Sequence, residues 1–266
     1  MTDAEVWQVS MAAAEVYEAS FVPAIFSAWS PRVVAAAKIG LGDHVLDVAC
    51  GTGIVARHAW ALVQPGREVT GLDINEGMLT VARRVAPDIS WKQGDAAALP
   101  FRDRTFTAVV SQFGMMFFAD RPQALREMWR VLCPGGRLAV AVLAGLDEAP
   151  SYQSLVDITA EQVGAAEAGT FAAPFVMGDP ALLAQAAKDA GIPHASVTLH
   201  HGHARFASVE EFVRIEVKGS PLAETLGQAA MDRLAAACGQ ALLPYVQASG
   251  ELVMPIAAHF LTAAKH

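Results

Sequence analysis

Residues 45–56 read Val45-Leu46-Asp47-Val48-Ala49-Cys50-Gly51-Thr52-Gly53-Ile54-Val55-Ala56. An apolar strand runs into a Gly-x-Gly turn, and a helical pattern starts behind it. Glycine has no Cβ, so the backbone can bend sharply there and a ligand can approach it closely. The helix N-terminus behind the turn offers free N–H groups and the positive end of the helix dipole. Gly51, Gly53 and Ala56 also satisfy the GxGxxG/A spacing of dinucleotide sites. The turn alone therefore leaves a dinucleotide and an adenosine-type ligand both open. Asp47 bears on the choice. A carboxylate inside an apolar strand is costly unless it is paired. It can face the ligand pocket, where a cationic amine suits it and a pyrophosphate does not. It can equally be a structural carboxylate that caps N–H groups of the loop.

Outward from this turn, short apolar runs alternate with helical patterns, which predicts βα units and a parallel sheet. Strands are expected over 44–49, 68–72, 89–93, 106–111 and 137–143, with helices over 52–62, 75–85 and 120–132. Asp120 and Pro122 read as the N-cap and first turn of the last of these helices. Cys133-Pro134-Gly135-Gly136 reads as its stop. Before the turn, residues 4–20 carry Val6, Trp7, Val9, Met11, Val16 and Tyr17 at helical spacing. Ser30-Pro31 reads as the start of a second helix that ends near Gly40 or Gly42. Beyond 144, helices are expected over 179–190, 209–217 and 223–246, and strands over 196–206 and 252–261.

Two further acids stand at predicted strand ends. Asp73 closes Gly71-Leu72-Asp73, and there a carboxylate can accept both ribose hydroxyls of an adenosine. Asp95, in Gly94-Asp95-Ala96, can accept from an adenine amino group while the Ala96 N–H donates to the ring. Met78 and Leu99 can sandwich that ring. One such acid can always be a helix cap or a solvated loop residue. Three at successive strand ends point to the crevice where open α/β sheets bind ligands.

Composition narrows the partners. The 266 residues are 53% hydrophobic, yet no apolar run approaches the ~20 residues of a membrane helix. The acidic first twenty residues do not resemble a signal peptide, so a cytoplasmic protein is expected. The net charge of −8 and the lack of a basic stretch exclude nucleic acid as an expected partner. Three widely spaced cysteines, Cys50, Cys133 and Cys238, signal neither a disulfide framework nor a metal site.

Taken together, VLDVACGTG (45–53), GLD (71–73), GDA (94–96) with LPF (99–101), and LCPGGRL (132–138) resemble the class I S-adenosylmethionine-dependent methyltransferases. The likeness is to the ubiquinone- and menaquinone-biosynthesis type and covers residues 40–143. It implies an α/β, Rossmann-like, seven-stranded, mostly parallel sheet with an antiparallel last strand, helices on both faces and a helical cap. It implies one methyltransferase domain over 1–266, with a cofactor-binding core at 36–143. Lid segments at 1–35, 144–178 and 207–247 would cover the substrate. The expected cofactor is S-adenosylmethionine, held by Asp47, Ala49, Gly51, Gly53, Asp73, Ile74, Met78, Asp95 and Ala96. Gln112 and Phe113 would lie at its methionine end. The expected partner is a small-molecule methyl acceptor, bound by a monomer or a homodimer.

Candidates for the chemistry are fewer. In-line methyl displacement needs alignment and exclusion of water, and a general base only if the nucleophile must lose a proton. His200, His201 and His203 cluster at a predicted strand end, with His201 and His203 on one face. They can serve as base or substrate ligands, or be surface histidines. Tyr17 and Phe21 lie one helical turn apart and can cover the methyl group or simply pack the N-terminal helix. Met115, Met116, Phe117 and Phe118 can line a substrate pocket or belong to the core. Two other functions fit the sequence less well. One is a nicotinamide-dependent oxidoreductase, against which Asp47 and the GDA segment argue. The other is a cofactor-binding protein without methyl transfer, since a fold does not determine a function.

Overall fold

The computed structural model describes residues 10–63 and 68–266. Seven strands form one sheet in the order β3-β2-β1-β4-β5-β7-β6. β1 (Val45–Val48) pairs in parallel with β2 (Val69–Asp73) and β4 (Phe106–Gln112). β3 (Ser90–Gln93) and β5 (Leu132–Leu143) extend the parallel part on either side. β7 (Leu252–Ala264) runs antiparallel between β5 and β6 (Ser196–Phe206). The chain steps one way from β1 to β2 to β3, and the other way from β4 to β5. Right-handed crossovers then put α3 (Ile54–Trp60) and α4 (Glu76–Val85) on one face and α5 (Arg121–Val131) on the other. The reversal between β1 and β4 opens a crevice at the strands' C-terminal ends.

Caps fall where the side chains demand them. Asn75 accepts from Met78 N–H at the start of α4, and Asp120 from Gln123 N–H at the start of α5. Asp179 and Ser208 do the same for α8 (Pro180–Asp189) and α9 (Val209–Lys218). The core is continuous through the sheet, with Trp29, Phe106, Phe212 and Phe260 wholly buried.

The N-terminal region departs from the expected two helices. α1 (Met11–Val16), a π-helical stretch (Tyr17–Phe26) and α2 (Ser27–Ala36) follow one another without a break. Ser30 is therefore not an N-cap, and Pro31 lies inside α2. Buried Ser30 instead hydrogen-bonds His58 Nδ1 at 2.7 Å, joining α2 to α3. The π turn coincides with Pro23, whose missing N–H breaks the regular ladder. Of the predicted helix over 4–20, residues 4–9, with Val6, Trp7 and Val9, lie outside the described residues.

Two further expectations shift. Cys133–Gly136 does not end a helix in a free turn. It bulges within β5, which starts at Leu132, where the pairing with β4 slips between Phe106 and Ala108. The unread stretch after 144 contains α6 (Pro150–Gln162) and α7 (Ala165–Ala172), and the predicted helix over 223–246 is shorter, α10 (Gln228–Ala241). Among the described residues no helix is long and apolar enough to cross a membrane.

Candidate functional site

The crevice at the sheet's switch point is a cavity of about 340 Å³, within the range of small-molecule sites. Its floor comes from the strand ends: Ala49 and Gly51 after β1, Asp73 and Ile74 at the end of β2, Gly94, Asp95 and Ala96 after β3, and Gln112 and Phe113 at the end of β4. Met78 of α4, with Met116 and Phe117 beyond β4, continues the wall. Tyr17, Phe21 and Phe26 close it from the N-terminal side.

The loop after β1 is shaped for close approach. Ala49, Gly51 and Gly53 all have left-handed φ, at 55°, 56° and 90°. A Cβ on Gly114 would come within 2.6 Å of the Ala49 Cβ, so the Ala49 methyl of the β1 loop packs directly on the Gly114 backbone after β4. Asp73 braces the turn. Its Oδ2 accepts Gly51 N–H at 2.8 Å and its Oδ1 accepts Asn75 N–H at 2.8 Å. Burial raises the Asp73 pKa, against the opposing pull of the Asn75, Gly51 and Ile74 backbone donors. Asp95 is exposed and accepts Ala97 N–H at 2.8 Å. Gln112 donates to the Phe26 carbonyl at 3.2 Å, while its buried Oε1 has no partner among the described residues.

Three expected ligand contacts sit elsewhere. Asp47 is 1% exposed and not on the cavity wall. Its Oδ2 accepts Ala56 N–H at 3.0 Å, so it caps the first turn of α3 from the strand below. Desolvation pushes its pKa up to about 8, against the Ala56 hydrogen bond and aided by the charge of Asp73. Gly53 is also off the wall, because a Cβ there would collide with the Trp91 ring at 2.1 Å. Leu99 is pinned behind the wall, its N–H donated to Glu127 and its carbonyl held by Arg130.

The aromatic cover follows from the π turn. Nine residues of α-helix make about two and a half turns, which would set Tyr17 and Phe26 on opposite faces. Here the Tyr17 and Phe26 rings stack at 5.0 Å between centroids, and Phe21 lies 6.0 Å from Tyr17. Phe26 reaches Phe113 at 5.9 Å. A bidentate ion pair, Arg57 to Glu18 at 2.8 and 3.1 Å, ties this segment to α3. Burial and the nearby Asp73, Glu18 and Asp47 carboxylates drive the Tyr17 phenol pKa far up, so Tyr17 is a poor proton acceptor.

The histidine candidates do not meet the cavity. His201 and His203 share an exposed face of β6, and His201 lies 3.8 Å from Glu148. His200 stacks on Phe260 at 4.4 Å between centroids.

The cap brings residues that the sequence reading missed. Thr170, Phe171 and Pro174 line the cavity from α7 and the turn after it, and Glu216, Gly219 and Ser220 line it from α9 and the turn after it. Glu216 is 9% exposed and takes the Tyr152 hydroxyl on Oε1 at 2.7 Å. Desolvation raises its pKa to about 7, while the Tyr152 hydrogen bond opposes the shift. A carboxylate interrupting the apolar stripe Val209, Phe212, Val213 was the available signal. Among the described residues the wall carries four carboxylates, Asp73, Asp95, Asp120 and Glu216, and no Lys, Arg or His.

Residues 46–140 match the family model described as a methyltransferase domain. The demethylmenaquinone methyltransferase of Symbiobacterium thermophilum is 44% identical over 115 residues, which are 41% of this chain and 46% of that protein. The chain thus spans about half the length of the curated relatives it matches. Among solved structures, Haemonchus contortus phosphoethanolamine N-methyltransferase 2, in complex with S-adenosyl-L-methionine, superposes with a TM-score of 0.63 at 19% identity. That match covers 100% of this chain and 60% of the other. The [4+2]-cyclase SpnF superposes with a TM-score of 0.53 at 19% identity, over 90% of this chain and 81% of that one. The sequence likeness to the quinone-biosynthesis methyltransferases is therefore borne out over residues 46–140, and the Rossmann-like methyltransferase fold over the whole sheet.

Proposed function

We propose that this protein binds S-adenosylmethionine in the switch-point cavity and transfers its methyl group to a small-molecule acceptor. The observation that carries this reading is the convergence of Gly51, Asp73, Asp95 and Gln112 on one cavity floor. The residues suit the cofactor. A wall charged only by carboxylates favours a cationic ligand and disfavours a pyrophosphate. Asp73 keeps acceptor capacity beyond its backbone bonds, enough for ribose hydroxyls. Gln112 Oε1 is a spare buried acceptor for an amino group at the methionine end.

When bound, S-adenosylmethionine supplies an electrophilic methyl group on a positively charged sulfur. The protein's share is alignment and dryness. Asp73 and the Gly51 turn orient the adenosine part. Tyr17, Phe21, Phe26 and Phe113 shut out water, which strengthens each remaining electrostatic contact. Asp47 stays behind the floor and holds the loop by capping α3.

Titration calorimetry tests the reading. S-adenosylhomocysteine is expected to bind with a micromolar dissociation constant, about −6 to −8 kcal/mol. No heat with either sulfur compound, together with saturation by NAD, would replace the reading with a nicotinamide enzyme.

A further inference from the structure

Glu216 is the only ionisable side chain that α6, α7 or α9 places on the cavity wall, among the described residues. A buried carboxylate on a wall that also carries Phe21, Phe171 and Pro174 is costly to keep there. A plain tie between α6 and α9 would not need one, since the Tyr152 hydroxyl could as well donate to a backbone carbonyl. Tyr152 satisfies Oε1 and fixes the carboxylate; Oε2 has no donor among the described residues. The neighbouring Ser220 hydroxyl is already committed, donating to the Val217 carbonyl and accepting Leu222 N–H. Apart from the acceptors on the floor, the cap side of the wall therefore offers a firmly held carboxylate oxygen with no donor.

That inventory selects a ligand. An anion meets four carboxylates and no cation. An ammonium brings three donors, which one spare oxygen cannot satisfy. A hydroxyl brings one donor and matches it. We propose that Glu216, held by Tyr152, is the specificity-determining residue for the methyl acceptor, accepting the hydrogen bond of a hydroxyl on an uncharged, otherwise apolar molecule. The assignment rests on the methyl-transfer reading above. It places the acceptor among phenols and apolar alcohols, and sets phosphorylated, carboxylated and primary-amine acceptors aside.

The test uses four probes of one shape: 1-naphthol, 1-methoxynaphthalene, 1-naphthylmethylamine and 1-naphthoate. Each is titrated into the full-length protein saturated with S-adenosylhomocysteine, as wild type, Glu216→Gln and Tyr152→Phe. Naphthol should bind the wild type at least about tenfold more tightly than its methyl ether, since the ether leaves a buried acceptor unfilled. Glu216→Gln should shrink that preference while leaving the methyl ether and S-adenosylhomocysteine affinities unchanged. Tyr152→Phe should shrink it partly, by freeing the carboxylate to turn. Naphthol binding no better than the ether, the amine binding best, or Glu216→Gln weakening both neutral probes equally would each overturn the proposal. Failure of the wild type to bind S-adenosylhomocysteine would instead overturn the methyl-transfer reading, and the proposal with it.

Discussion

The Asp73 carboxylate accepts the Gly51 backbone N–H at 2.8 Å, joining the end of β2 to the glycine turn after β1. A residue read as a ligand contact is thus also a structural brace. Asp73→Ala is expected to orphan the buried Gly51 and Asn75 N–H groups, at about 1–3 kcal/mol each where no water replaces the carboxylate. Both urea stability and S-adenosylhomocysteine affinity should fall. Loss of affinity at unchanged stability would show that the brace is not needed for folding.

Gly71 is required by Trp91. A Cβ on Gly71 would stand 2.3 Å from the Trp91 ring and 3.0 Å from Cys50 Sγ. Gly71→Ala should cost about 1–3 kcal/mol through overpacking. In a Trp91→Ala background the added methyl has room, so the double variant should be at least about 1 kcal/mol better than additive. Strict additivity in urea unfolding would mean that the strand shifts rather than clashes.

Asp47 makes stability depend on pH. Its folded pKa of about 8 exceeds the ordinary carboxylate value, so the folded state holds the proton more tightly than the unfolded chain. The resulting penalty is absent below the ordinary value near pH 3.8 and grows as the pH rises toward 8. Glu216, raised to about 7, adds a second penalty of the same sign. Unfolding free energy should therefore decline from pH 5 to pH 8. Asp47→Asn keeps an acceptor for Ala56 N–H and should flatten that decline. Parallel profiles for the two proteins would place the titrating group elsewhere.

On the proposed reading Tyr17 covers the cavity rather than serving as a base. Its ring stacks on Phe26, and its hydroxyl would lie 3.5 Å from a Cβ on Gly51. Tyr17→Phe should hold S-adenosylhomocysteine within about threefold of wild type, and Tyr17→Ala should lose about tenfold or more, ~1.4 kcal/mol. A large loss in the phenylalanine variant would assign the work to the hydroxyl.

The βα core was legible because each of β1 to β4 ends at, or within three residues of, a residue of distinctive chemistry, Gly51, Asp73, Asp95 or Gln112, which local periodicity places on one sheet end. Asp47 shows the limit of that reading. Sequence places a carboxylate near the turn, but whether it faces the cavity or Ala56 N–H depends on strand twist and the start of α3. The cap was less legible, since its identity as a wall depends on contacts between distant segments. Phe26 reaches the cavity only because the π turn at Pro23 rotates it beside Tyr17. Glu216 became recognisable only once α6 brought Tyr152 against it.

β7 determines the order in which the sheet can be completed. Both β5 and β6 use it as a partner, and among the described residues β6 pairs with no other strand. During synthesis β5 must wait, one edge bare and apolar, while more than a hundred residues emerge, from Leu143 to Leu252. Such long-range closure is slow compared with local pairing. Until residues 252–264 insert, the β1–β5 half presents an unpaired edge, a template for pairing with other chains. Folding yield should then be limited by the arrival of the last strand, so losing β7 would strand β6 entirely and leave an aggregation-prone half-sheet.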